Sequence, residues 1–84
     1  MCASTTDSLS FYEHIKMKDL AKKFGANLRG KRREKHVSQD QLALLADIDR
    51  SYIGRIERGE VNITLEKAYQ LAHVLECDVR ELLP

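Results

Sequence analysis

Ser38-Gln39-Asp40-Gln41-Leu42-Ala43-Leu44-Leu45-Ala46-Asp47-Ile48-Asp49-Arg50-Ser51-Tyr52-Ile53-Gly54-Arg55-Ile56-Glu57-Arg58-Gly59 reads as two short helices with a tight corner between them. The first helix opens on a capping box, in which the Ser38 hydroxyl accepts the Gln41 amide and the Gln41 side chain reaches back to the Ser38 amide. Leu42, Leu45 and Ala46 then recur at helical spacing and predict a buried face, with Ala43 small enough for close packing. Asp47 falls where the chain must turn and Ile48 is an apolar plug. Asp49 supplies the acceptor that starts the second helix.

In the second helix Ile53 and Ile56 point one way, with Ile48 before them. Arg50, Ser51, Gly54, Arg55 and Arg58 point the other, while the acid Glu57 falls towards the buried side. An outward face built from guanidinium groups suits phosphates and guanine edges, because the planar fork of arginine matches both. Gly54 costs about 1 kcal/mol against alanine inside a helix. It would allow close approach of a duplex, or it is simply tolerated there. Two helices separated by three or four residues have the spacing of a helix-turn-helix.

At this point the sequence resembles a known family, the lambda-repressor and Cro class of helix-turn-helix proteins, also called Xre-type. The resemblance runs from about Phe24 to Leu83, and its strongest words are Ser38-Gln39-Asp40-Gln41-Leu42-Ala43 and Arg50 through Gly59. It implies an all-α, compact five-helix DNA-binding domain. It implies base readout by Arg50, Ser51 and Arg55, and backbone contacts by Gln39, Tyr52 and Arg58. It also implies a structural ion pair between Arg32 and Glu57. Four helix-stop positions usually favour glycine in this class; here only Gly59 is glycine, and His36, Asp47 and Glu76 fill the others. Histidine is among the few residues that tolerate a left-handed conformation.

Eighty-four residues allow one small domain, with too little volume for a deep catalytic cleft beside a core. No apolar run reaches the ~18 residues of a membrane span and no signal-peptide core opens the chain, so a cytoplasmic protein is expected. Cys2 and Cys77 lie at opposite ends without metal-ligand spacing, and Cys77 reads as a small core hydrophobe. His14, His36 and His73 have no partners at metal spacing, and neither a phosphate loop nor a nucleophile-base pair is evident. No enzyme, metal, cofactor or small-molecule ligand is therefore expected.

The formal net charge is only +1, but its distribution is uneven. Residues 16–36 hold nine basic against two acidic side chains, a local charge of +7, whereas residues 60–84 carry −3. Such a dipolar chain offers a basic face to a polyanion, and Lys31 in the basic segment is assigned to the DNA backbone. A solvated lysine-rich helix accounts for the charge run equally well.

Residues 1–16 are expected to form a tail or an extra helical segment carrying Leu9, Phe11, Tyr12 and Ile15. Leu20, Ala21, Phe24 and Leu28 stripe a first domain helix from about Met17 to Lys35, weakened by Gly25 and Gly30. After Gly59 a loop would place Asn62 beside a phosphate. Thr64 then caps a helix bearing Leu65, Ala68, Tyr69, Leu71, Ala72 and Leu75, and Asp78 to Glu81 form a second capping box opening a short last helix. This apolar surface exceeds what the domain needs, so some of Leu65, Tyr69, Val79, Leu82 and Leu83 are expected to supply a twofold dimer contact, the alternative being that all of it is core.

Residues 17–84 would thus be a helix-turn-helix domain with C-terminal dimerisation helices, binding double-stranded DNA as a homodimer on an inverted repeat. Asp49 through Ile53 and the turn from Asn62 to Leu65 look like those of the controller proteins of restriction-modification systems. Cro-like repressors and antitoxins share the scaffold, and a helical protein-interaction module is the competing class. If the protein activates transcription, Glu57, Glu60 or Glu66 would face RNA polymerase.

Overall fold

A computed structural model describes residues 17–84, and the expected tail or extra segment over residues 1–16 lies outside them. Four α-helices follow in order: α1 Met17–Glu34, α2 Gln39–Ala46, α3 Arg50–Glu57 and α4 Leu65–Val74. A single 3₁₀ turn, Val79–Glu81, comes last, and the described residues contain no strand.

The starts of α2, α3 and α4 are each built by a capping residue. Gln41 N–H donates to Ser38 Oγ at 3.0 Å and Ser38 N–H to Gln41 Oε1 at 2.8 Å, closing the box. Asp49 accepts from Ser51 N–H, and Thr64 from Lys67 N–H. Helix ends are made by left-handed residues: His36, Asp47 and Glu76 have φ of 59°, 55° and 54°, and Gly59 has 74°. These residues turn the chain back, so that Val37, Ile48, Glu60 and Cys77 N–H reach carbonyls in the preceding helix.

The helices enclose one core, in which Leu28, Leu42, Ile53, Ile56, Leu71 and Leu82 are fully buried. Gly25 is what allows α1 to lie close against α3. A Cβ there would sit 2.3 Å from the Ile56 carbonyl oxygen and 2.7 Å from that of Glu57. Gly30 has no neighbour within 4 Å of such an atom.

Three expectations need correction. Among the described residues the five-helix count falls to four, because the short last helix is the 3₁₀ turn. Leu82 and Leu83 N–H both return to the Val79 carbonyl, Asn27 Nδ2 donates to the Leu82 and Leu83 carbonyls at 3.1 and 3.0 Å, and Pro84 has no N–H to extend a helix. The buried face of α2 is Leu42, Ala43 and Ala46, while Leu45 is 61% exposed. Positions 43 and 45 both fit a helical stripe with 42 and 46, and α2 is rotated to bring the small Ala43 inward. Leu82, expected in a dimer contact, is wholly within the core.

Candidate nucleic-acid interface

The corner between α2 and α3 is made by left-handed Asp47, after which Ile48 N–H bonds the Ala43 carbonyl at 2.9 Å and drives its side chain into the core. Asp49 then accepts both the Ser51 amide, at 2.9 Å, and the Ser51 hydroxyl, at 2.8 Å. Those two donors hold the Asp49 carboxyl below the usual carboxylate range. The back of α3 is fixed by Ile53 and Ile56 in the core and by Glu57, whose carboxylate takes Arg32 Nε at 2.7 Å and Arg32 Nη2 at 3.0 Å. Arg32 is thereby held firmly protonated. Gln39 Nε2 donates to the same carboxylate at 3.0 Å, so the start of α2 is tied to the end of α3.

The front of α3 faces solvent. The side chains of Arg50, Arg55 and Arg58 are 65%, 53% and 59% exposed, and Ser51 is exposed beside them. Each arginine has an acid next to it, but they are held differently. Arg50 meets Asp40 through Nε. Arg55 lies with its Nε 3.9 Å from Glu60. Arg58 instead grips Glu60 with both Nε, at 2.6 Å, and Nη2, at 3.4 Å, which lowers the Glu60 pKa. Gly54 is buried under Arg58, since a Cβ on Gly54 would lie 3.0 Å from Arg58 Nη1. The gap that glycine leaves on this face is filled by the protein itself.

The other residues assigned to DNA are scattered. Tyr52 is half-buried against the core, and Asn62 is exposed in the loop after Gly59. Lys31 is engaged within the chain. Its ammonium bonds Glu34 at 2.6 Å and Glu81 at 2.7 Å, which raises its pKa and links α1 to the C-terminal turn. A lysine chelated by two carboxylates is a clamp between α1 and that turn. Lys22, Lys23, Arg29, Arg33 and Lys35 are the exposed members of the basic segment among the described residues.

A second surface lies on α4 and the C-terminal turn. Leu65, Tyr69 and Leu83 are 74%, 60% and 41% exposed. Leu65 and Leu83 line an apolar groove of about 360 Å³ together with Leu20, Phe24 and Ile63. Val79 packs partly against the core and Leu82 does so fully, which removes Leu82 from any surface contact. Cys77 is half-buried beside it, and burial pushes its thiol up. Among the described residues no group of three or more His, Cys, Asp or Glu is placed to hold a metal ion, and no helix is long and apolar enough to cross a membrane.

Asp40, the neighbour of Arg50, carries no sequence signal of this role, because an acid in the first turn of a helix is explained by the helix dipole alone. The pairing spans ten residues across the corner and appears only once α2 and α3 are placed.

The helix-turn-helix family profile matches residues 28–82, more than half of the chain. The control protein C.SmaI of Serratia marcescens is 38% identical over 65 residues, covering 77% of each chain. The control protein C.BamHI of Bacillus amyloliquefaciens is 36% identical over 61 residues, covering 71% of this chain and 75% of that one. Among solved structures, the restriction-modification controller protein C.AhdI of Aeromonas hydrophila superposes with a TM-score of 0.72 at 44% identity, covering 75% of this chain and 96% of its own. The clp gene regulator ClgR of Corynebacterium glutamicum superposes with a TM-score of 0.73 at 28% identity, covering 75% of this chain and 67% of its own.

Proposed function

This chain belongs to the helix-turn-helix family, and on that footing we propose that it is a sequence-specific DNA-binding transcriptional regulator of the restriction-modification controller kind. The observation that carries the reading is the two-sidedness of α3. Its isoleucines and Glu57 are locked into the domain, and Arg50, Ser51 and Arg55 stand in solvent on one rigid face. A rod held from behind, with planar cationic forks in front, fits the major groove of B-form DNA. Gln39, Tyr52, Asn62 and Arg58 are assigned to positioning the phosphates. Relatives named as control proteins favour binding over catalysis as the activity.

The protein acts as a homodimer through Leu65, Tyr69 and Leu83, with Val79 at the edge of the contact. Two recognition helices about 34 Å apart would then enter successive grooves of an inverted repeat. Its place is the cytoplasm, and a contact with RNA polymerase through Glu60 or Glu66 would add activation to repression.

The test is selection of duplexes from a random pool by the full chain, followed by titration of the winner at several salt concentrations. The reading requires a palindromic consensus, and affinity that falls linearly with the logarithm of salt. A pool that stays random after selection would overturn it.

A further inference from the structure

Arg50 opens α3 and Arg58 caps its end, yet their guanidinium groups are left in opposite conditions by their acidic neighbours. Glu60 takes both Nε and Nη2 of Arg58, so one edge of that fork is closed. Asp40 approaches Arg50 most closely at Nε, the nitrogen nearest the helix, and among the described residues no side-chain hydrogen bond engages either Nη. Both Nη nitrogens of Arg50 therefore remain as an open end-on fork, the pair of donors that reaches guanine O6 and N7 together. The acid fixes the stem of the side chain and leaves its tip to recognise. Asp40 sits in the first turn of α2 and Arg50 in the first turn of α3, so the contact sets the arginine relative to the whole helix-turn-helix. An arginine with several free torsions loses less conformational freedom on binding when its direction is already set.

We propose that Asp40 is a positioning residue for base readout: its carboxylate holds Arg50 by Nε and aims the Nη pair at a guanine edge, so sequence preference at that base depends on a residue that does not touch it. The proposal rests on the reading of α3 as the recognition helix. It also means that an acid on the DNA-facing side raises discrimination although its charge opposes phosphate.

The experiment is a double-mutant cycle on the full chain with Asp40→Ala, Arg50→Ala and both together. Affinity is measured for the selected duplex and for the same duplex changed at the guanine read by Arg50. In the Arg50 background Asp40→Ala should lower the ratio of the two affinities about three- to tenfold, while in the Arg50→Ala background it should leave the ratio unchanged. Asp40→Asn, which keeps an acceptor without the charge, should recover part of the ratio. Thermal unfolding of each variant reports whether the fold is intact; the exposed Asp40 and Arg50 side chains predict little change.

If Asp40→Ala tightens binding to both duplexes equally, in either background, the carboxylate acts only by repelling phosphate and the proposal is overturned. If the unmutated protein does not separate the two duplexes at all, the DNA reading of α3 falls first and the role of Asp40 falls with it.

Discussion

Arg32 reaches from α1 to Glu57 at the end of α3 and closes a two-point ion pair, with Nε at 2.7 Å from one carboxylate oxygen and Nη2 at 3.0 Å from the other. Only 4% of the Glu57 side chain is exposed. A carboxylate in that setting is tolerable because three donors satisfy it, the third being Gln39. Glu57→Ala strands the Arg32 guanidinium and should lower unfolding free energy by about 3 to 5 kcal/mol. Arg32→Met combined with Glu57→Leu, which removes both charges, should cost much less. Urea denaturation of the two variants distinguishes a pair that adds stability from one that is merely costly to break.

Gly25 and Gly30 lie in the same helix but should respond to alanine in opposite directions. The methyl group at position 25 would enter the Ile56 and Glu57 carbonyls, backbone atoms that cannot step aside, so Gly25→Ala should separate α1 from α3 at a cost of about 2 kcal/mol or more. Gly30 faces open space, and Gly30→Ala should add about 0.5 to 1 kcal/mol through helix propensity. Thermal melts of the two single variants check both signs.

The left-handed residues give a graded series. Glu76 has φ of 54° with no glycine-like freedom, so Glu76→Gly should stabilise by a few tenths to about 1 kcal/mol despite the added entropy of the unfolded chain. Asp47→Gly should gain less, because aspartate tolerates this conformation better. Gly59→Ala should be the most damaging change of the series, since a Cβ there would lie 2.5 Å from Lys22 Cγ and 2.7 Å from its Cα, at φ of 74°. Guanidinium denaturation midpoints should follow that order.

These residues also mark how far the sequence alone could be read. Ser38, Asp49, Thr64 and Asp78 act through atoms two or three residues away, so the start of every later element was visible in the letters. The stop positions followed from the family resemblance. What lay out of reach was the contact between distant segments. Gly25 reads as a helix weakness until α3 is packed on it, and Lys31 reads as a free cation until the C-terminal turn brings Glu81 alongside. Leu45 and Leu82 failed for a related reason, since periodicity gives a stripe but not its rotation, and apolar character does not say whether a side chain faces the core or a partner. The arginine face of α3 was legible, whereas the acids that hold it were not.

Asp78 ties the C-terminal turn to acid conditions. The Arg80 guanidinium and Arg80 N–H bonded to its carboxylate hold its pKa down to about 2, from an ordinary value of 3.8. A carboxylate whose folded pKa is depressed contributes stability that is present above the unfolded value and lost as pH falls through the folded one. The turn should therefore weaken between about pH 4 and pH 2. Asp78→Asn should remove that part of the acid sensitivity while leaving the melting temperature at pH 7 lower. Melting temperatures recorded at steps from pH 7 to pH 2 for both chains would expose the difference, and parallel curves would contradict it.

Lys31 and Arg50 are both basic, and their geometry predicts opposite consequences of losing them. Arg50 has a solvent-facing fork, so Arg50→Ala should reduce discrimination at one base of the selected duplex by about 1 to 3 kcal/mol and flatten preference at that position alone. Lys31 is chelated by Glu34 and Glu81, and its removal frees two carboxylates without uncovering any group on α3. Lys31→Ala should therefore leave the salt dependence of DNA binding nearly unchanged, where a residue on phosphate would reduce the slope by about 0.9. Its effect should appear as a lower melting temperature and looser protection of the turn over Val79–Glu81. Fluorescence titrations at four salt concentrations, with hydrogen exchange on the same samples, measure both quantities. A shallower salt slope for Lys31→Ala would return that lysine to the DNA face and show that its two acidic partners release it on binding.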